Sequence, residues 1–345
     1  MAGEELTDRE RKVLDAVVQA YIDTAEPAGS RTIAKTFPLG VSAATIRNTM
    51  SDLEDRGYLY HPHTSAGRVP TDLAYRAYVD RVIWQEHITP SEQDTLRREL
   101  TRDRTAIEGI VRKAAQVLGV LTQELGVAVA PSLVGAVLEH LELVQVSAER
   151  LLMVLVLRGG AARTIFVEAS AHLPPDVVQS VASVLNERLV GLTLQEIRRT
   201  LPERVRDTGG GTSEKELLNI FVEEADQLFD VDGKTGQDVV LGSAQLLAEQ
   251  PEFHSNEQMR ALIELTERRD LLRRALQARN APGLNVTIGG ENLDARLAAF
   301  TIVTSAYRAG SLSGTIGVIG PTRMPYEKVL SLVQYTSRLM GDLVQ

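Results

Sequence analysis

Apolar positions in the first 70 residues recur with a helical period three times and then change to a strand period. Val13, Leu14, Val17, Val18, Tyr21 and Ile22 make one regular stripe. Thr7 and Glu10 stand ahead of it at the spacing of a capping box, so a helix is expected from about Asp8. Pro27 and Gly29 break it. Ser30 is read as the cap of a short second helix, Arg31 to about Thr36, with Ile33 and Ala34 turned inward; Pro38 and Gly40 make the next turn. Ser42 is an N-cap residue, and Ile46, Met50 and Leu53 follow at i, i+4 and i+7, which buries one face of a third helix. At about 100° per residue the opposite face carries Ala44, Asn48 and Ser51, with Thr45 and Arg47 on its flanks. Gly57 stops this helix, Tyr58-Leu59-Tyr60 starts a strand, and Thr64-Ser65-Ala66-Gly67 reads as a hairpin tip flanked by His63 and Arg68. Helix, short helix, turn, helix and ribbon is the order of a winged helix-turn-helix.

A plain three-helix packing unit has the same hydrophobic spacing. What favours DNA is the third helix, whose outer face is small or hydrogen-bonding, together with the ribbon behind it. On this reading Ala44, Thr45, Arg47, Asn48 and Ser51 are assigned to base edges, Arg47 suiting guanine and Asn48 adenine. Ser30, Arg31, Ser42 and Tyr60 are assigned to phosphates, in part through helix N-termini, and His63, Ser65 and Arg68 on the wing to the backbone or minor groove. Charge tempers the picture. Residues 1–84 hold ten Lys and Arg against twelve Asp and Glu, whereas 28–68 hold five against three. The electrostatic footprint is local, so one copy binds weakly. A two-fold dimer placing two such helices in successive major grooves calls for an inverted-repeat operator.

Beyond the ribbon, Thr71 to Trp84 and Pro90 to about Leu125 read as helices. Leu141 to Val146 alternates, Leu151 to Leu157 is an apolar run taken as buried, and Arg163 to Ala169 alternates again; turn signals between them make an antiparallel meander. A helix runs from Pro174-Pro175 to about Val190 on a stripe of Val177, Val178, Val181, Val184, Leu185 and Leu189. The sheet is expected to resume at Leu284 to Ile288, Phe300 to Ala306 and Thr315 to Ile319, before a closing helix from Pro325 to Leu343. Between these lie helices at Thr193 to Arg206 and Glu214 to Phe229, a short strand at Asp238 to Leu241, and a helix from about Asn256 to Arg279. Residues 193–255 therefore read as an insertion.

Composition narrows the function classes. A chain of 345 residues with 43% hydrophobic content supports two or three domains. The net charge of −9 is wrong for a general polyanion binder and compatible with DNA contacts on one small face. The chain has no Cys, which excludes disulfides, thiolate metal sites and a Cys nucleophile. The N-terminal MAGEELTDRE is acidic and unlike a secretory signal, and the longest apolar run, Leu151 to Leu157, is far too short to span a bilayer. A cytoplasmic protein with no membrane association is expected. Gly209-Gly210-Gly211 lacks the Lys-Ser/Thr of a phosphate loop and is read as a linker; Ile288-Gly-Gly-Glu291 and Gly317 to Pro321 are read as strand ends and turns. His61 and His63 on one strand face lack the further ligands of a metal site, and no Ser–His–Asp constellation can be drawn among six His, so no metal, no cofactor and no enzyme activity are expected. Arg323 in GPTRMPY (Gly320 to Tyr326) is held on a rigid loop; a ligand, the DNA-binding unit and a simple strand-to-helix turn are all open to it, the last being the simplest.

The segments LTDRERKVLDAVVQAYIDTAEPAGSRTIA, GVSAATIRNTMSDLEDRGYLYHPHTSAGRVPTDLAYRAYVD and SAYRAGSLSGTIGVIGPTRMPYEKVL closely resemble the HrcA heat-shock repressors of bacteria, and the resemblance spans the whole chain. It implies an α+β multidomain protein: an N-terminal winged helix-turn-helix (1–88), a GAF-like α/β domain with an antiparallel sheet, in two parts (89–192, which includes a helical connection, and 256–345), and an inserted dimerisation domain (193–255). It also implies a homodimer that represses chaperonin and other chaperone genes from an inverted repeat on double-stranded DNA, with a chaperonin partner that keeps it active. The alternative is a regulator whose GAF-like domain senses a small molecule; an enzyme fused to a DNA-binding unit is disfavoured by the missing catalytic constellations.

Overall fold

The computed structural model describes residues 5–343 apart from 64–65, 84–86, 102–106, 132–134, 159–161, 170–172, 208–210, 230–238, 278–282 and 310–311. The N-terminal stripe forms α1 (Asp8–Thr24). Its capping box is complete: the Thr7 hydroxyl accepts from the Glu10 N–H at 3.3 Å, and the Glu10 carboxylate accepts from the Thr7 N–H at 2.7 Å. In α2 (Ser30–Thr36) the cap residue is Gly29, so Ser30 is the first helical residue and not the cap that the sequence suggests. Helix α3 (Ala43–Asp55) starts where expected, with Ser42 Oγ accepting from the Thr45 N–H at 3.1 Å, and buries Ile46, Thr49, Met50 and Leu53. Gly57 ends it with φ 78°, and the Tyr58 N–H bonds back to the Leu53 carbonyl at 2.9 Å.

The ribbon consists of β1 (Leu59–Tyr60) and β2 (Val69–Pro70), antiparallel, with Leu59 opposite Pro70 and Tyr60 opposite Val69. The segment after α1 adds a third rung, because Ala28 and Arg68 exchange backbone hydrogen bonds at 2.8 and 2.9 Å. Gly67 permits this approach: a Cβ there would lie 2.4 Å from the Ala28 carbonyl carbon. Helix α4 (Asp72–Val82), capped by Thr71, follows at once.

The body opens with α5 (Pro90–Thr101), α6 (Ile107–Thr122) and β3 (Leu125–Val129). The chain then leaves it for a separate antiparallel sheet of β4 (Leu138–Ser147), β5 (Arg150–Leu157) and β6 (Ala162–Glu168), in that order. Helices α7 (Pro175–Leu189), α8 (Leu194–Arg204), α9 (Thr212–Glu223) and α10 (Ala225–Leu228) complete this unit. The body resumes with β7 (Val239–Leu241), α11 (Gln245–Ala248), α12 (Asn256–Glu267), α13 (Arg269–Gln277), β8 (Leu284–Ile288), β9 (Phe300–Ala309), β10 (Leu312–Pro321) and α14 (Tyr326–Leu343).

This redraws the expected division. The meander β4–β6 does not belong to the main sheet, whose order is β7-β3-β10-β9-β8. The boundary expected at 193 falls between α7 and α8, where the Leu192 carbonyl accepts from the Leu138 N–H and the Leu194 N–H donates to the Ala136 carbonyl, both at 2.9 Å. Backbone bonds thus bind that segment to the start of β4. The short strand at 239–241, assigned to the insertion, is an edge of the main sheet beside β3. The helix expected over 256–279 is two, broken at Arg268.

The main sheet is covered on both faces. Ala128, Val303, Ile316 and Val318 point into one core with α6 and α14; Leu125, Val127, Phe300, Ile302 and Ile319 point into another with α12 and α13. Covering both faces explains why these strands read as near-continuous apolar runs. Among the described residues the β4–β6 sheet is covered by α7 on one face only. Leu151, Met153, Leu155 and Leu157 are buried there, while Leu152, Val154 and Val156 on the other face are half-exposed, so the run is not buried throughout.

The N-terminal unit rests on the body through polar contacts around a buried aromatic pair. The Tyr75 and Tyr326 rings lie 5.8 Å apart. Around them Arg76 donates to Glu291 and to the Val286 carbonyl, each at 2.8 Å, Asp72 accepts from the Gly290 N–H at 2.8 Å, and the Tyr78 hydroxyl lies 2.9 Å from a Glu327 carboxylate oxygen.

Candidate nucleic-acid interface

Helix α3 presents the face that its periodicity predicts. Ala44, Arg47, Asn48 and Ser51 are exposed, and Thr45 is half-buried with its hydroxyl 2.9 Å from Ser42 Oγ. Ser42 is itself committed to the cap, its Oγ accepting from the Thr45 N–H. Ser30 is half-buried at the start of α2, and Arg31 beside it is exposed. Tyr60 and His63 are exposed on the ribbon; Ser65, assigned to the wing tip, lies outside the described residues. The expected contacts therefore divide into an α3 group, an α2 group and a ribbon group.

The five basic residues of 28–68 are not equivalent in three dimensions. Arg56 donates to Glu10 at 2.9 Å, which ties the end of α3 to the start of α1. The Glu10 carboxyl is held below the ordinary range by the Thr7 hydroxyl and N–H first, and then by Arg56. Arg68, expected to grip DNA, keeps a side chain only 15% exposed and turns it to Glu54, at 2.7 Å, and to His61. Arg31, Lys35 and Arg47 have no acidic partner among the described residues. Free cationic charge within 28–68 is thus narrower than the sequence count.

The engagement of Arg68 also answers the histidine pair. His61 points to Glu54 and Arg68 while His63 faces solvent, so the two do not converge, and among the described residues no group of three or more His, Asp or Glu gathers around a metal-sized space. The Gly-rich run at 209–211 lies outside the described residues except for Gly211, the residue before α9.

Of the readings open to Arg323, the structure chooses the N-terminal unit. Its Nη1 donates to the Ile22 carbonyl in the last turn of α1 at 2.6 Å, and Glu252 accepts from the rest of the guanidinium. Beneath it Glu124 is buried, bonded to Gln250 at 3.1 Å; burial raises its carboxyl well above the ordinary range, against the pull of that bond and of Arg323. The sequence signals neither partnership, because Arg323 and Ile22 lie 301 positions apart.

The sequence profile of the HrcA protein C terminal domain matches residues 108–330, from the first turn of α6 into α14. Full-length relatives extend over the N-terminal unit as well. The heat-inducible transcription repressor HrcA of Chlorobium phaeobacteroides (strain BS1) is 39% identical, over 97% of this chain and 97% of that protein. This chain belongs to the HrcA family. The heat-inducible transcription repressor HrcA of Chlorobaculum tepidum is 38% identical over 98% and 97% of the two chains. A crystal structure of a hypothetical protein at 2.2 Å superimposes with a TM-score of 0.72, covering 99% of each chain at 22% identity, so the whole fold has a solved counterpart. HrcA proteins are heat-inducible transcription repressors and not enzymes, and this chain is a repressor of that kind. Among the described residues no helix is long and apolar enough to cross a membrane.

Proposed function

We propose that residues 7–83 form a winged helix-turn-helix and that the chain represses chaperone operons as a homodimer on an inverted-repeat operator. One observation carries the DNA-reading role: α3 buries Ile46, Met50 and Leu53 and presents Arg47, Asn48 and Ser51 to solvent beside a ribbon anchored to the same helix. Arg47 reads guanine and Asn48 adenine through bidentate bonds, with Ala44, Thr45 and Ser51 shaping the contact. Ser30, Arg31, Ser42 and Tyr60 hold phosphates. On the wing His63, Ser65 and Arg68 are assigned to the DNA backbone or minor groove, Arg68 from the base of the ribbon.

The dimer follows from a different surface. On the uncovered face of β4–β6, Val144 pairs across the strands with Leu152, and Leu152 with Phe166. Val146 and Phe166 are 57% and 62% exposed. A contiguous apolar face of this kind needs a cover. A second copy supplies it and sets two α3 helices roughly one helical turn of DNA apart, or a multiple of it. On this reading the inserted dimerisation unit spans about 136–229, and the five-stranded sheet with its two helical layers is the GAF-like domain. Repression is steric, in the cytoplasm, and the chaperonin maintains the fraction of repressor in its DNA-competent fold. The ligand-sensing alternative has less to rest on. A groove of about 700 Å³ beside α12 contains Glu264 and Arg296, and Arg296 is already held by Asp294 at 2.6 Å.

A mobility-shift assay with an inverted-repeat duplex and a scrambled duplex of equal length, with and without chaperonin, tests the proposal. Selective retention of the inverted repeat, strengthened by chaperonin, is the expected result. Equal affinity for both duplexes removes the operator-reading role.

A further inference from the structure

Three side chains meet at the base of the ribbon, and their donors and acceptors leave one arrangement. Glu54 lies in the last turn of α3, His61 follows β1 and Arg68 precedes β2. His61 Nδ1 lies 2.7 Å from Glu54 Oε1, Arg68 Nη2 lies 2.7 Å from Glu54 Oε2, and Arg68 Nη1 bonds His61 Nε2. A guanidinium has donors only, so His61 Nε2 accepts. The imidazole proton is then on Nδ1 and is given to Glu54. The three groups close a ring of hydrogen bonds in which each oxygen of the carboxylate takes one partner. The backbone of Arg68 is fixed as well, by its two bonds to Ala28 and by the close packing of Gly67.

We propose that this ring is the device that sets the wing against the recognition helix, with Glu54 and His61 as positioning residues for DNA binding and Arg68 as the strut between them. The inference rests on the winged-helix reading above. It has an unusual sign. A carboxylate on a DNA-binding face repels phosphate, so removing one ordinarily tightens binding. Here removing Glu54 releases the His61 and Arg68 side chains from α3 and loosens binding in spite of the charge gained. The role of His61 is equally specific. A glutamine side chain accepts through its oxygen and donates through its nitrogen, so it can occupy the same place in the ring, whereas alanine cannot.

The test compares the full-length protein with its Glu54→Ala, Arg68→Ala, Glu54→Ala/Arg68→Ala, His61→Ala and His61→Gln variants on operator and scrambled duplexes, with thermal melts as a folding control. Glu54→Ala is expected to weaken operator binding by about tenfold, the worth of a charge-assisted bond. The double variant is expected to be no weaker than the worse single, and His61→Gln to recover most of what His61→Ala loses. In the free protein, ¹H–¹⁵N spectra are expected to show the His61 proton on Nδ1. Tighter or unchanged operator binding by Glu54→Ala overturns the proposal, as does an additive double variant. If Glu54→Ala fails to fold, equal losses in His61→Gln and His61→Ala overturn it in its place. These outcomes are separable from failure of DNA reading itself, which shows as unmodified protein with no preference for the operator.

Discussion

Arg323 donates to the carbonyl oxygen of Ile22 at 2.6 Å, so a loop between the last strand and last helix of the body holds the final turn of the first helix of the chain. The contact places a cation at the negative end of α1, next to carbonyls that the helix cannot satisfy. Glu252 holds the same guanidinium from the other side. Arg323→Ala is expected to cost about 1.5–3 kcal/mol, the range for hydrogen bonds to charged groups. It should raise amide exchange in the last turn of α1 and in α4 before it does so in the β-sheet. Unchanged protection at the end of α1 would count against the clamp.

Acid should loosen the same interface at a second point. Burial pushes the Glu291 carboxyl up, but the Arg76 hydrogen bond, the Ile288 N–H and the Arg76 charge outweigh it, and the net position is below the ordinary value of 4.5. A carboxyl depressed in the folded state adds stability above its unfolded pKa and loses it as the pH falls through the folded one. Glu291→Gln is therefore expected to be less stable than the parent at neutral pH, with the two melting curves converging as the pH drops below about 4.5. A gap independent of pH would show that the ion pair contributes nothing.

Glu124 has the opposite sign. Its carboxyl is raised by burial, so the folded state keeps a proton that the unfolded chain gives up, and stability falls as the pH rises from about 4.5 toward the folded value. Glu124→Gln keeps the shape and the capacity to bond Gln250 while removing the ionisation. It is expected to match the parent at acid pH and to exceed it increasingly toward neutrality, read by thermal melts across that range. Parallel profiles for the two proteins would refute the assignment.

Arg47→Ala is expected to cost operator binding about 1–3 kcal/mol and to relax the preference at one base pair, with little change on scrambled DNA. Arg31→Ala, by contrast, is expected to weaken both duplexes alike and to lower the salt dependence by about one phosphate. Equal losses on both duplexes for Arg47→Ala would reassign it to the backbone.

Phe166→Asp places a charge on the uncovered face of β4–β6, on its edge strand β6. The expected result is a monomer in sedimentation velocity, with melting temperature close to the parent and operator affinity reduced to that of a single half-site. A variant that remains dimeric would put the interface elsewhere.

The local elements were legible because their causes are local. Ile46, Met50 and Leu53 recur with the helical period, Ser42 caps and Gly57 stops, and α3 runs from Ala43 to Asp55 as those signals require. The three strands of the meander were found for the same reason, but not their sheet. Alternating apolar positions say that a strand has faces, and nothing about which strand it pairs with. A stretch such as Leu151 to Leu157 reads as buried whether its second face meets a helix or is left open.

The amino-acid sequence by itself determined the order of elements, the exposed face of α3 and the family of the protein, since each depends on residues within a few turns of one another or on similarity along the chain. Only the tertiary structure decided which charges remain for a partner. Arg56, Arg68 and Arg323 look alike in sequence as available cations, yet each is held by an acid brought near from elsewhere in the chain, at Glu10, Glu54 and Glu252. An ion pair depends on distance in space, and separations of 46, 14 and 71 positions along the chain carry no record of it.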